Sequence, residues 1–253
     1  MKKLLLITAL LLFAGIANLN GQNENDIQLW YCIAETVKPD MREQYLEFSH
    51  ELIKVCSEED FPYAFFTWSY APMEFELWSP LESLNDIDKI EKEWDKIMKK
   101  WGEDKQNAFN ATKIKNYAKT CKVRWDLTYK PDHPDFDPDN LIYGRWIEVY
   151  LKPGTQKKFV ESVQWINEKR KAHDYGVQCG FAELGLGYET PSYLVMYGHE
   201  SQVKYLEYEN NLDDAYQDEY QKYLTGIRKL FRKPVTVHDI WLLPELSYNP
   251  DKE

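Results

Sequence analysis

The 253-residue sequence lacks most of the signatures from which an activity is read directly. No C-x-x-C spacing occurs among Cys32, Cys56, Cys121 and Cys179, which removes support for a thioredoxin-like redox site or a zinc ribbon. No two of His50, His133, His173, His199 and His238 stand four residues apart, and H-E-x-x-H is absent, so zinc has no support. G-x-S-x-G and the glycine-rich P-loop are missing too; GLGYE from Gly185 lacks the strand-to-helix context of a nucleotide loop and reads as a hairpin turn. Asp135, Asp137 and Asp139 imitate the start of a calcium loop. The imitation ends at Asn140, where glycine is needed, and at Trp146, where the bidentate glutamate belongs. Positive charge is outnumbered, with 31 Lys and Arg against 42 Asp and Glu.

The formal net charge is −11, and an acidic surface repels phosphate backbones and anionic lipid, so nucleic acid and membrane surfaces are not expected partners. At the N-terminus, two lysines precede an apolar run from Leu4 to about Ala17, followed by small and polar residues. The run is shorter than the ~20 residues of a membrane-spanning helix. A signal peptide over residues 1–21 is therefore expected, with cleavage after Ala17 or Gly21 and a retained anchor as the alternative. Its removal takes the net charge to −13 and places the protein in the periplasm or outside the cell. No cysteine follows either cleavage point, which argues against lipid attachment. In an oxidising compartment the four cysteines allow up to two disulfides in three pairings, or stay as buried thiols that act as small hydrophobes. Asn110-Ala-Thr matches a glycosylation sequon by pattern only. Aromatic residues make up 15% of the chain, which suits an aromatic-lined cleft or an unusually bulky core.

The chain repeats itself. KPDMREQYLEF at Lys38 follows the strand-like WYCIAETV, and KPGTQKKFVES at Lys152 follows RWIEVYL. Glu82-Ser83 falls on Glu200-Ser201, and DLTYKPD at Asp126 on ELSYNPD at Glu245. The offset grows from 114 to 119 residues, too long for a solenoid repeat and consistent with a duplicated small domain. Each copy reads strand, helix, two strands, helix, strand. Met41, Tyr45, Phe48, Leu52 and Val55 form one helical stripe, and Ile87, Ile90, Trp94, Ile97 and Trp101 another. VRWDLTY is expected to close the first copy, and a long tyrosine-rich helix from Val203 to precede the last strand, VHDIWLL. The expected divisions are 22–131 and 141–253, joined by a Pro- and Asp-rich linker at 132–140.

A βαββαβ unit is ferredoxin-like: helices cover one sheet face, and the other face needs a partner. Two tandem units packed sheet to sheet make a single-chain α+β barrel. From Ile27 to Pro250 the order of landmarks resembles the dimeric α+β-barrel superfamily in tandem form. Relatives by architecture are the NIPSNAP-like proteins, antibiotic-biosynthesis-type monooxygenases and haem-binding chlorite-dismutase-like proteins. No family-specific motif is present, so no catalytic residue carries over.

Strand alternation divides Ile147, Val149 and Leu151, expected against the helices, from Trp146, Glu148 and Tyr150, expected on the opposite face. In the first copy the latter face carries Cys32, Ala34 and Thr36, which leave room. A carboxylate there would be partly desolvated, hence a general acid or base, or an orienting group in an apolar pocket. The bland alternative pairs Glu148 with Arg124 or Arg145. Trp68 and His238 are expected to contribute nearby. Three functions remain open: an exported barrel holding a small apolar or aromatic ligand; a barrel enzyme, either a cofactor-independent oxygenase or isomerase using Glu148 or a haem protein using His173 or His238; and a structural or interaction protein with a filled barrel. No cofactor is required by the sequence, and haem enters only through the resemblance.

Overall fold

The computed structural model describes residues 27–132 and 140–252. The expected signal peptide, His133, Asp135, Asp137 and Asp139 lie outside the described residues. The first repeat contains β1 (Ile27–Val37), α1 (Arg42–Glu58), β2 (Phe66–Ala71), β3 (Glu74–Leu81), α2 (Asp86–Trp101), α3 (Glu103–Ala111) and β4 (Lys113–Arg124). The second contains β5 (Tyr143–Tyr150), α4 (Gln156–Ala172), β6 (Gln178–Leu184), β7 (Ser192–His199), α5 (Gln202–Asn210), α6 (Asp214–Arg228) and β8 (Thr236–Leu242). The strands hydrogen-bond in the closed order β1-β3-β2-β8-β5-β7-β6-β4, an α+β barrel in which each repeat keeps the ferredoxin-like order fourth, first, third, second.

Two compact units emerge, one on residues 28–121 with 241–253, the other on residues 122–240. In the first unit, Tyr45, Leu52 and Cys56 of α1 bury against Phe75, Ile97, Trp101 and Phe109. The C-terminal segment belongs to this body: Leu243 N–H donates to Thr67 O at 2.8 Å, and Tyr248 exchanges backbone hydrogen bonds with Phe65. In the second unit, Phe159, Val163 and Ile166 of α4 pack with Phe181, Tyr193 and Val195, and Tyr129 exchanges backbone hydrogen bonds with Cys179.

The two KP turns solve the strand-to-helix step differently. Pro39–Met41 form a 3₁₀ turn, whereas Gly154 adopts φ +80°, a left-handed conformation that glycine enters without steric cost.

Three elements depart from the sequence expectation. The strand closing the first repeat is Lys113–Arg124, and Trp125–Leu127 of the expected VRWDLTY form a 3₁₀ turn. The first half of β4 is largely exposed, so it carries no apolar alternation to announce it. The long helix from Val203 is two helices, because Asp213 accepts the Tyr216 N–H at 2.8 Å and caps a new start. The α2 helix likewise ends at Gly102, φ +101°, and α3 follows. All four cysteines are free and buried.

Candidate functional site

Alternation along β5 sorts its side chains as the sequence pattern indicates. Val149 and Leu151 are buried in the helix-side core with Ile147 packed on it. Trp146, Glu148 and Tyr150 take the helix-free face; Trp146 and Tyr150 are buried and Glu148 half-buried. Strand β8 supplies the neighbouring row. Asp239 reaches Tyr143 Oη at 2.6 Å and Arg145 Nε at 2.9 Å on the helix side, so His238 and Ile240 point the other way. Ile240 confirms the geometry: its Cδ1 lies 2.9 Å from where a Cβ on Gly144 would stand. The second sheet therefore shows Trp146, Glu148, Tyr150 and His238 on one face.

Glu148 Oε2 accepts a hydrogen bond from Tyr150 Oη. Burial, then this bond to a carboxylate, pushes the Tyr150 phenol up to about 12. Lys233 Nζ lies 3.7 Å from the Tyr150 ring centroid, on the rim of the same cluster. Neither expected arginine pairs with Glu148: Arg124 binds Asp126 at 2.7 Å and Arg145 binds Asp239 at 2.9 Å. The carboxylate instead holds a phenolic proton, an arrangement that can orient a polar group or relay a proton.

The first unit's helix-free face is more polar than its small β1 residues implied. Register places Trp78 opposite Cys32, and Glu76 opposite both Ala34 and Trp68. Glu76 Oε1 binds Lys119 Nζ at 2.7 Å, while its Oε2 accepts Trp78 Nε1–H at 2.9 Å and the Cys32 thiol at 3.4 Å. Burial alone would depress the Lys119 ammonium; the Glu76 carboxylate outweighs it and holds the group charged. Beside this network Trp30 packs on Phe66 and Trp78 at 6.0 and 6.3 Å, and its buried indole N–H has no acceptor among the described residues. An orphan donor of this kind costs roughly 1–3 kcal/mol unless something accepts from it. Sequence reasoning missed Glu76, Lys119 and Trp30. The alternation in MEFELWSP, applied as it was to RWIEVYL, would have placed Glu76 on this face.

A haem, implied by the resemblance alone and expected there through a histidine, needs a ring nitrogen with a free lone pair. His173 faces Asp213 at 3.2 Å through Nδ1 and Glu219 at 3.1 Å through Nε2, so it does not fit. His199 accepts the Glu200 N–H at Nδ1. Among the described residues, no group of three His, Cys, Asp or Glu side chains is arranged to hold a metal ion, and no helix is long and apolar enough to cross a membrane.

No protein-family model matches the sequence, and no curated protein resembles it in sequence. Similar solved structures include an anthrone oxidase-like protein, with a TM-score of 0.57, 12% identity, and coverage of 87% of this chain and 92% of that one. A candidate monooxygenase from Lactobacillus acidophilus NCFM superposes with a TM-score of 0.54 at 9% identity, over 88% of this chain and 96% of its own. Another from Fusobacterium nucleatum gives 0.53 at 9%, over 86% and 93%. At such identities the likeness is one of architecture, and with the strand order it establishes that the chain has the dimeric α+β-barrel fold, carried by a single polypeptide.

Proposed function

We propose that the protein binds a small aromatic or apolar molecule bearing a hydrogen-bond acceptor, on the helix-free faces of its sheets. The observation that carries this is the orphan Trp30 indole N–H, a buried donor among aromatic rings beside the fixed Glu76–Lys119 pair. Buried donors are almost always satisfied, and a ligand acceptor supplies what the protein does not. In the second unit Trp146 and Tyr150 form an aromatic wall, with Glu148 as orienting group and His238 alongside. Trp68 belongs to the same face of the first unit as Glu76. Mass spectrometry of ligand extracted from purified protein tests the reading directly. Trp30→Phe, which keeps the ring and removes the donor, is expected to lose most of the retained ligand. Equal retention in Trp30→Phe, Trp146→Ala and the parent would end this reading.

A second reading, catalysis, is favoured by the Glu148–Tyr150 hydrogen bond and by the names of the similar structures. Glu148 would take a proton from the benzylic CH2 of an anthrone-type substrate, and the carbanion would react with dioxygen without a cofactor, one oxygen atom becoming the quinone carbonyl and the other leaving as water with the two hydrogens. Oxygen consumption with anthrone, absent in Glu148→Gln, supports it; no consumption by the parent rules it out for that substrate. A Soret band in the purified protein would instead mark haem.

Export completes the proposal. It rests on the N-terminal lysines and the apolar run after them, and N-terminal sequencing of mature protein beginning near Asn18 or Gln22 supports it. An intact Met1 in the soluble cell fraction contradicts it.

A further inference from the structure

On the helix side of the second unit, α4 and α6 leave a groove of about 580 Å³ between them. Trp165, Tyr223 and Leu230 supply its apolar lining, and Lys158, Ser162 and Lys222 its polar one; Glu161 is the acid beside it.

Three features set this groove apart from an ordinary helix surface. Trp165 is 37% exposed, a large ring at the surface with Lys169 Nζ 5.6 Å from its centroid. Lys157 and Lys158 occupy the first turn of α4, which contains no acid, although the helix dipole disfavours positive charge there. Lys157 reaches Glu161 at 3.9 Å, but among the described residues no ion pair involves Lys158 or Lys222. Gly226 lies inside α6, where glycine is unfavourable relative to alanine, yet a Cβ there would meet nothing within 4 Å. No packing demand explains that glycine. What its missing side chain preserves is the depth of the groove.

Charge points to the occupant. In a chain of net charge −11, the stretch from Lys222 to Lys233 carries Lys222, Arg228, Lys229, Arg232 and Lys233 with no acid among them. Arg232 and Lys233 of this stretch pair with Glu189 at 3.3 and 3.0 Å, so the positive charge offered to the groove is that of Lys158 and Lys222 in its lining. We infer that the α4–α6 groove binds a small aromatic anion, with its ring on Trp165 and Tyr223 and its carboxylate or sulfonate toward Lys158 and Lys222. The site is separate from the helix-free sheet faces, and its ligand differs in being charged.

Fluorescence titration of the mature protein with 8-anilinonaphthalene-1-sulfonate, beside the uncharged N-phenyl-1-naphthylamine, tests the assignment. The double variant Lys158→Glu/Lys222→Glu is expected to weaken the sulfonate by about tenfold, equivalent to ~1.4 kcal/mol, and to leave the neutral probe within about twofold. Gly226→Leu fills the groove and is expected to weaken both probes. Trp146→Ala is expected to leave sulfonate binding intact, which separates failure of this site from failure of the sheet-face reading. Unchanged sulfonate affinity in the double variant, with a native circular dichroism spectrum, overturns the inference. So does loss of sulfonate binding in Trp146→Ala.

Discussion

Glu76 and Lys119 form a 2.7 Å ion pair with side chains only 5% and 6% exposed. The pair persists in that setting because Trp78 and Cys32 fill the second carboxylate oxygen with hydrogen bonds. Removing one partner leaves a buried charge uncompensated. Lys119→Met is therefore expected to cost about 3–5 kcal/mol in urea denaturation, and Glu76→Leu/Lys119→Met to recover a large part of that loss. Equal destabilisation by the single and double variants would show that packing, not charge, is at stake.

Asp239 gives the acid limb of stability a specific source. Burial pushes its carboxyl up, but hydrogen bonds from Arg145 and Tyr143 outweigh this and hold it below the usual aspartate value. Its folded pKa is thus lower than its unfolded one, so the unfolded state binds more protons as pH falls. The contribution is complete above the unfolded value of about 3.9 and is lost as pH drops through the folded value. Denaturation between about pH 5 and pH 2 should show a shallower loss of stability in Asp239→Asn than in the parent. Superimposable slopes would remove Asp239 as a contributor.

Two glycines should respond oppositely to alanine. At Gly226 a Cβ meets open space within a helix, so Gly226→Ala is expected to stabilise by about 0.5–1 kcal/mol. At Gly102, φ +101° is closed to side chains, so Gly102→Ala should lower the melting temperature although nothing touches its Cβ. Thermal melts of the two variants, measured together, check both signs.

The cysteines should be chemically silent in the native state. All four are buried, and burial raises each thiol above its usual value, so little reactive thiolate exists. Titration with a thiol reagent is expected to find no fast-reacting group in native protein and four after denaturation. A thiol count below four in denatured, non-reduced protein would reveal a disulfide.

The sequence by itself determined the periodic part of this protein. Duplicated landmarks such as Lys38-Pro39 and Lys152-Pro153, two amphipathic stripes and the alternation of Trp146, Ile147, Glu148 and Val149 fix strands, helices and faces, because those properties repeat with the period of the backbone. What lacked a period was decided by tertiary structure. The first half of β4 shows no alternation, and the break between α5 and α6 depends on one cap at Asp213. Arg170 shows the limit most clearly. It sits in the run Glu168-Lys-Arg-Lys, which reads as a solvated face, yet it is fully buried, donating to Asn167 at 2.6 Å and Tyr197 at 3.2 Å. Lys119, in a polar stretch, is buried only because Glu76 waits for it on another strand. The carboxylate that offsets the desolvation of Lys119 lies 43 residues away, beyond the reach of any local pattern; Arg170 has one acceptor close by in Asn167, but its other, Tyr197, lies 27 residues away.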